Sequence, residues 1–150
     1  MRVASAQYAL TPVAGIDAFE RRCEDVVLQA KELSPALLVL PEYLGAQVLS
    51  AGTGAPGVRD LPATNERYRM LFAGLARTHG MAILAGTTIV ADGNQLHNAA
   101  HLFHPDGRID VQPKLHLTPT ERDWGLAPGE RLQLVEIGGR KAAILVCYDI

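Results

Sequence analysis

Five consecutive apolar residues, Ala36-Leu37-Leu38-Val39-Leu40, constrain the fold of this chain more than any other feature. A strand with one wet face alternates polar and apolar side chains. An unbroken apolar run needs cover on both faces, which is the habit of strands inside parallel sheets. The preceding residues supply the crossover that a parallel pair requires. Residues 2–8 read as a first strand, and Thr11-Pro12 and Gly15 punctuate the loop after it. Phe19, Cys23, Val26, Val27, Ala30 and Leu33 then recur at helical spacing, with Arg21, Arg22, Glu24, Asp25 and Lys31 on the opposite face. Asp17, with Glu20 three residues on, has the form of a capping box, and Ser34-Pro35 ends the helix. Strand, helix and strand across residues 2–40 predict a parallel pair joined by a right-handed crossover.

The pattern then changes. Residues 45–63 are rich in Gly, Ala and Pro and read as a long surface loop. Residues 64–79 read as a second helix, with Thr64 as cap, Tyr68, Leu71, Phe72 and Leu75 on its apolar face, and Gly80 as its stop. Three strand-like runs follow at 81–90, 96–103 and 108–112. The turn sequences Ala91-Asp92-Gly93-Asn94 and His104-Pro105-Asp106-Gly107 separate them, which predicts a meander. A polar loop at 113–131 leads to two more apolar runs, 132–137 and 141–147, joined at Gly138-Gly139. The class is α/β with a mixed sheet and helices packed on it.

At 150 residues with 48% hydrophobic composition, the chain can build one domain with a substantial core. Fourteen basic and 16 acidic residues are interspersed, for a net charge of −2, and no basic stripe points to nucleic acid. Two cysteines make no disulfide framework. No secretory leader pattern opens the sequence. No apolar run reaches the roughly 20 residues that span a bilayer. A soluble cytoplasmic protein is the expectation.

Three reactive side chains sit where strands end. Glu42 follows the run to Leu40, Lys114 follows Val111-Gln112-Pro113, and Cys147 follows Ala143-Ile144-Leu145-Val146. Ligand sites in open α/β sheets gather beyond the carboxyl ends of strands. Singly, each has a plainer reading: a small buried thiol, a solvated loop acid, a solvated lysine. Together they form a chemical set. A thiol near pH 7 is only a few per cent thiolate, so a nucleophilic cysteine needs a base. A carboxylate takes that proton and returns one to the leaving amine. An ammonium and a backbone N–H, such as that of Tyr148, stabilise the oxyanion formed on attack.

Leu38-Val39-Leu40-Pro41-Glu42, Pro113-Lys114-Leu115-His116 and Leu145-Val146-Cys147-Tyr148-Asp149 resemble, in order and at similar spacing, the three catalytic motifs of the nitrilase (carbon–nitrogen hydrolase) superfamily. Val3-Ala4-Ser5-Ala6-Gln7 is similar to that family's first strand. Gly86-Thr87, Asn98-Ala99-Ala100 and Asp106-Gly107 resemble its central hairpin, and Pro128-Gly129-Glu130 the turn after the lysine loop. The resemblance covers essentially the whole chain. It implies an αββα sandwich of which residues 1–150 form the N-terminal part, stopping just after the nucleophile. It also implies a Glu42-Lys114-Cys147 triad, no metal or other cofactor, a small-molecule amide or nitrile as substrate, and association into a homo-oligomer.

Glu121 lies where many members carry a second glutamate that positions substrate or tunes the lysine; a solvated loop acid is the equal alternative. Thr118-Pro119-Thr120-Glu121-Arg122 is similar to true nitrilases, whereas Tyr148-Asp149 after the cysteine matches the amidase-like branch. The residues beside the nucleophile decide for an amide hydrolase. Nitrile hydrolysis, acyl transfer and a non-catalytic fragment acting by association are the rivals. His97, His101 and His104 fall in a strand-and-turn region that splits them between two faces, and are not read as a metal site. Cys23 reads as helix packing.

Overall fold

The computed structural model describes residues 1–51 and 57–150. Its centre is a five-stranded mixed sheet in which spatial order follows chain order: β1 (Val3–Ser5), β2 (Leu37–Val39), β3 (Ala82–Asp92), β4 (Gln95–Phe103) and β5 (Ile109–Pro113). The first three strands are parallel, with Val3 opposite Leu37 and Leu37 opposite Ala82. β3, β4 and β5 are the antiparallel meander. Because β4 reverses direction, β5 again runs parallel to β2. The C-terminal ends of β2 and β5 and the start of β4 therefore share one sheet edge.

Helices α1 (Ile16–Lys31) and α2 (Asn65–His79) cover one face. Phe19, Cys23 and Val27 of α1 pack with Tyr68, Phe72 and Ala76 of α2 against Leu38, Ile83 and Phe103. Burying each of the larger ones, such as Phe19, Val27, Phe72 and Ile83, contributes about 1.5–3 kcal/mol. The other face carries a two-stranded antiparallel ribbon, β6 (Leu134–Ile137) and β7 (Arg140–Ala143). Val135, Ile137, Ile144 and Val146 pack there on Leu37, Ala82, Ala100 and Leu102. This explains the unbroken run at 36–40: Leu38 faces the helices while Leu37 faces the ribbon. The described residues thus build helix, sheet and ribbon layers, the α, β and β of an αββα sandwich.

Four local expectations are corrected. Gly15 precedes α1, and its start has no side-chain cap. Asp17 and Glu20 instead hold Arg67 of α2 at 2.7 and 2.6 Å, so a tertiary ion pair takes both carboxylates. The stretch read as a surface loop contains two 3-10 helices, Leu44–Ala51 and Val58–Thr64, because Leu44 and Leu61 are drawn into the core; residues 52–56 of it lie outside the described residues. The polar loop at 113–131 contains a short helix, α3 (Pro119–Asp123). Finally, the last strand stops at Ala143. Residues 144–146 keep a strand's alternation, with Ile144 and Val146 buried and Leu145 exposed, but among the described residues β7 pairs only with β6.

Candidate active site

Two glycines seat the backbone around the shared sheet edge. The β3–β4 register slips between Leu84 and Thr87, and Gly86 lies inside the slip with φ +72. A Cβ there would run into the Pro41 carbonyl oxygen, one residue before Glu42. Gly86 therefore lets β3 approach the Glu42 backbone. Thr87 then takes the Tyr43 N–H on its Oγ1 at 2.8 Å and holds Tyr43 at φ +59. On the lysine side, Gly129 N–H donates to the Lys114 carbonyl at 2.7 Å, and a Cβ on Gly129 would lie 2.7 Å from the Pro113 oxygen. Gly86→Ala is expected to lower stability by about 1–3 kcal/mol through overpacking, with about 1–2 kcal/mol more from the left-handed backbone. A urea midpoint matching that of the unaltered protein would contradict the close approach.

The side chains converge on one ammonium. Lys114 is 1% exposed. Its Nζ lies 2.9 Å from Glu42 Oε1 and 3.0 Å from Glu121 Oε2. Asn98 Nδ2, from the start of β4, donates to Glu42 Oε1 at 2.9 Å and to Glu121 Oε1 at 2.8 Å. Tyr43 Oη donates to Glu121 Oε1 at 2.5 Å. Thr118 caps α3 by accepting the Glu121 N–H, and Glu121 Oε2 accepts the Thr118 N–H at 2.8 Å. Glu121 is thus no solvated loop acid. It is 1% exposed and serves as both cap and counter-charge.

Electrostatics follow from this geometry. Burial alone would depress the Lys114 ammonium, but hydrogen bonds and charge from Glu42 and Glu121 hold its pKa above the ordinary value. Burial pushes Glu121 up, yet the donors Tyr43, Thr118, Asn98 and Lys114 outweigh it and bring its carboxyl down to about 2. Burial, then the Glu121 carboxylate, raises the Tyr43 phenol, which stays a protonated donor. A carboxyl depressed on folding contributes stability that is complete above its ordinary pKa and is lost as pH falls through the folded value. Stability should therefore fall between about pH 4.5 and 2, and Glu121→Gln should flatten that window in acid-denaturation curves.

Cys147 opens a 3-10 turn, Cys147–Asp149, in the left-handed region at φ +47. It is exposed, unlike Cys23, which lies in the helical core. Cys147 and Glu42 line the same cavity of about 150 Å³, together with Thr87, Ala100 and Val146. Tyr148, next in the turn, is exposed. Glu42, Lys114 and Glu121 therefore meet directly, and Cys147 joins them across a cavity shared with Glu42. The three histidines have separate surroundings. His97 bonds the Ala127 carbonyl, His101 packs on Tyr68 and Phe103, and His104 pairs with Asp110.

Two members of this cluster, Asn98 and Tyr43, stand outside the three strand-end positions that the sequence marks as reactive. Asn98 leaves a signal, as an amide inside the apolar run of β4. Tyr43 leaves none, because its reach to Glu121 depends on a backbone turn set by Thr87.

The family model for carbon–nitrogen hydrolases matches residues 2–150. The probable hydrolase YhcX of Bacillus subtilis is 30% identical over 154 residues, covering 100% of this chain and 30% of that protein. An omega-amidase of Danio rerio is 27% identical over 141 residues, covering 86% of this chain and 48% of that protein. Among solved structures, a CN-hydrolase superfamily protein of Xanthomonas campestris superimposes with a TM-score of 0.80 at 19% identity over 99% of this chain and 54% of its own. An amidase of Nesterenkonia sp. AN1, solved as the Michael adduct of acrylamide on its active-site cysteine, gives 0.76 at 24% identity over 99% and 57%. These likenesses show a nitrilase-type fold, and the chain spans about half the length of those solved proteins. Matched from residue 2 to residue 150 by that family's model, the chain belongs to the carbon–nitrogen hydrolase family.

Proposed function

We propose that this protein hydrolyses the amide bond of a small molecule through a thioester on Cys147, with Glu42 as general base and acid and Lys114 as electrostatic stabiliser. One observation carries the reading: a buried ammonium is held between two carboxylates, and one of those carboxylates lines a cavity with an exposed cysteine. The two acids are not equivalent. Glu121 is fully buried and saturated with donors, whereas the Glu42 side chain is 23% exposed and faces the cavity. Glu42 is therefore the acid free to exchange a proton.

In the proposed cycle the Cys147 thiol gives its proton to Glu42 as Sγ attacks the amide carbon. The carbonyl electrons move onto oxygen, and the Lys114 ammonium with the Tyr148 N–H stabilises that charge. Collapse breaks the C–N bond while Glu42 returns its proton to the departing amine. Water then attacks the thioester as Glu42 takes its proton. Collapse of that second intermediate breaks the C–S bond, releases the acid and restores the thiol. Because Lys114 is held protonated by its two counter-charges, it serves as a fixed positive charge and not as the base.

Amidases among the similar proteins support the amide reading; a nitrilase of Pyrococcus abyssi, 33% identical over 76 residues, is also among them. Assay of a panel of small amides and nitriles for ammonia release, with and without an amine acceptor, tests the reaction. Amide-dependent ammonia with free acid as product is the expected result. No turnover of any amide, or product formed only with the acceptor, would contradict it.

A further inference from the structure

We infer that Asp149 is a positioning residue that fastens the nucleophile's turn to the lysine loop; this rests on the reading of Cys147 as nucleophile. The Asp149 side chain is 0% exposed although it lies in a surface turn. Its Oδ2 accepts the Val146 N–H at 3.0 Å, which is a local cap on the turn. Its Oδ1 does something a cap does not require. It accepts the N–H groups of Leu115 at 3.0 Å and His116 at 2.7 Å, the two residues directly after Lys114. One carboxylate thus bridges the residue before Cys147 and the residues after Lys114. Among the described residues, these are the hydrogen bonds that join the two segments.

The rest of the turn explains why such a tie is needed. Residues 144–146 pair with no strand among the described residues, and the Asp149 bonds tie this segment directly to the lysine loop. Cys147 also holds a left-handed backbone that a non-glycine residue leaves readily unless its surroundings over-determine it. Charge-assisted bonds from three backbone N–H groups to one carboxylate supply that determination. The His116 ring adds little, since its Nδ1 is 3.4 Å from Oδ1 and the side chain is 65% exposed. Asp149 touches no reacting atom. It acts through the distance between Cys147 and Lys114.

The test compares Asp149→Asn with the unaltered full chain. The asparagine oxygen can keep one set of acceptor bonds, but its amide sets N–H against N–H at the other. Displacement of a nucleophile by about 1 Å costs on the order of 100-fold. The expected result is a kcat lower by roughly 30- to 100-fold, with KM within about threefold, and a rate of Cys147 alkylation by iodoacetamide reduced by about tenfold. Phe72→Leu, in the helical layer far from the turn, controls for general loss of stability and should leave the alkylation rate unchanged. If Asp149→Asn does not fold, the same rates are read on Asp149→Glu, which keeps the charge but moves both oxygens by one methylene. Alkylation and kcat within about twofold of the unaltered protein in the folded variant would overturn the proposal. If Cys147 of the unaltered protein reacts no faster than a denatured-chain cysteine, the nucleophile reading itself fails. The two failures are therefore distinguishable.

Discussion

Cys147→Ala is expected to remove turnover by roughly 10⁴- to 10⁶-fold, the scale seen when a covalent nucleophile is deleted. Stability should change little. The thiol is exposed and outside the hydrophobic clusters, so its loss leaves no cavity. Alanine and cysteine tolerate the left-handed φ of +47 about equally, so the backbone strain is the same in both. A change within about ±0.5 kcal/mol, as for surface substitutions, is predicted from urea denaturation. Loss of turnover together with an unchanged midpoint separates a chemical role from a structural one. Undiminished turnover would refute the assignment of Cys147.

Lys114→Met is expected to damage stability and activity together. The ammonium lies within 3.1 Å of carboxylate oxygens from both Glu42 and Glu121. Removing it leaves two acids sharing the Asn98 amide with no cation between them. Breaking a buried ion pair by deleting one partner costs about 3–5 kcal/mol. Like charges in one site cannot both stay ionised, so one carboxyl should bind a proton at raised pKa. The pH dependence should then invert. The unaltered protein loses stability as pH falls through the Glu121 window toward 2. The variant, with a carboxyl whose folded pKa exceeds its unfolded value, should gain stability as pH falls from 7 toward about 4.5. Adding Glu121→Gln should return part of the stability while turnover stays lost. Denaturation of the single and double variants at pH 5 and 7 measures this coupling. Additive losses with no change of slope would contradict a shared buried cluster.

The fold was legible where local pattern and burial agree. The apolar run at 36–40 predicted a strand covered on both faces, and Leu37 and Leu38 indeed divide between ribbon and helices. The turns at Gly93 and Gly107 predicted the meander. Legibility failed where a distant partner decided the outcome. Asp17 and Glu20 had the right spacing for a cap, but Arg67 offered charge-assisted bonds from another helix. The run at 141–147 had a strand's composition, but strand pairing depends on neighbours that its own residues do not specify. Glu121 could have been placed from sequence, since Thr118-Pro119-Thr120-Glu121 is a capping box with proline at the first helical position. Its meeting with Lys114 could not, because that rests on where β5 ends relative to α3. The same holds for Asn98 and Tyr43, whose targets lie 23 or more residues away.

The thioester is the central intermediate of the proposed cycle, and it has a mass. An amide that the protein turns over is mixed with it, the reaction is quenched in acid within one turnover, and the chain is digested and mapped. The peptide containing Cys147 should gain the acyl group in exchange for the thiol proton, and hydroxylamine should remove it. Turnover of the amide with Cys147 unmodified throughout, or with the acyl group on another residue, would contradict it.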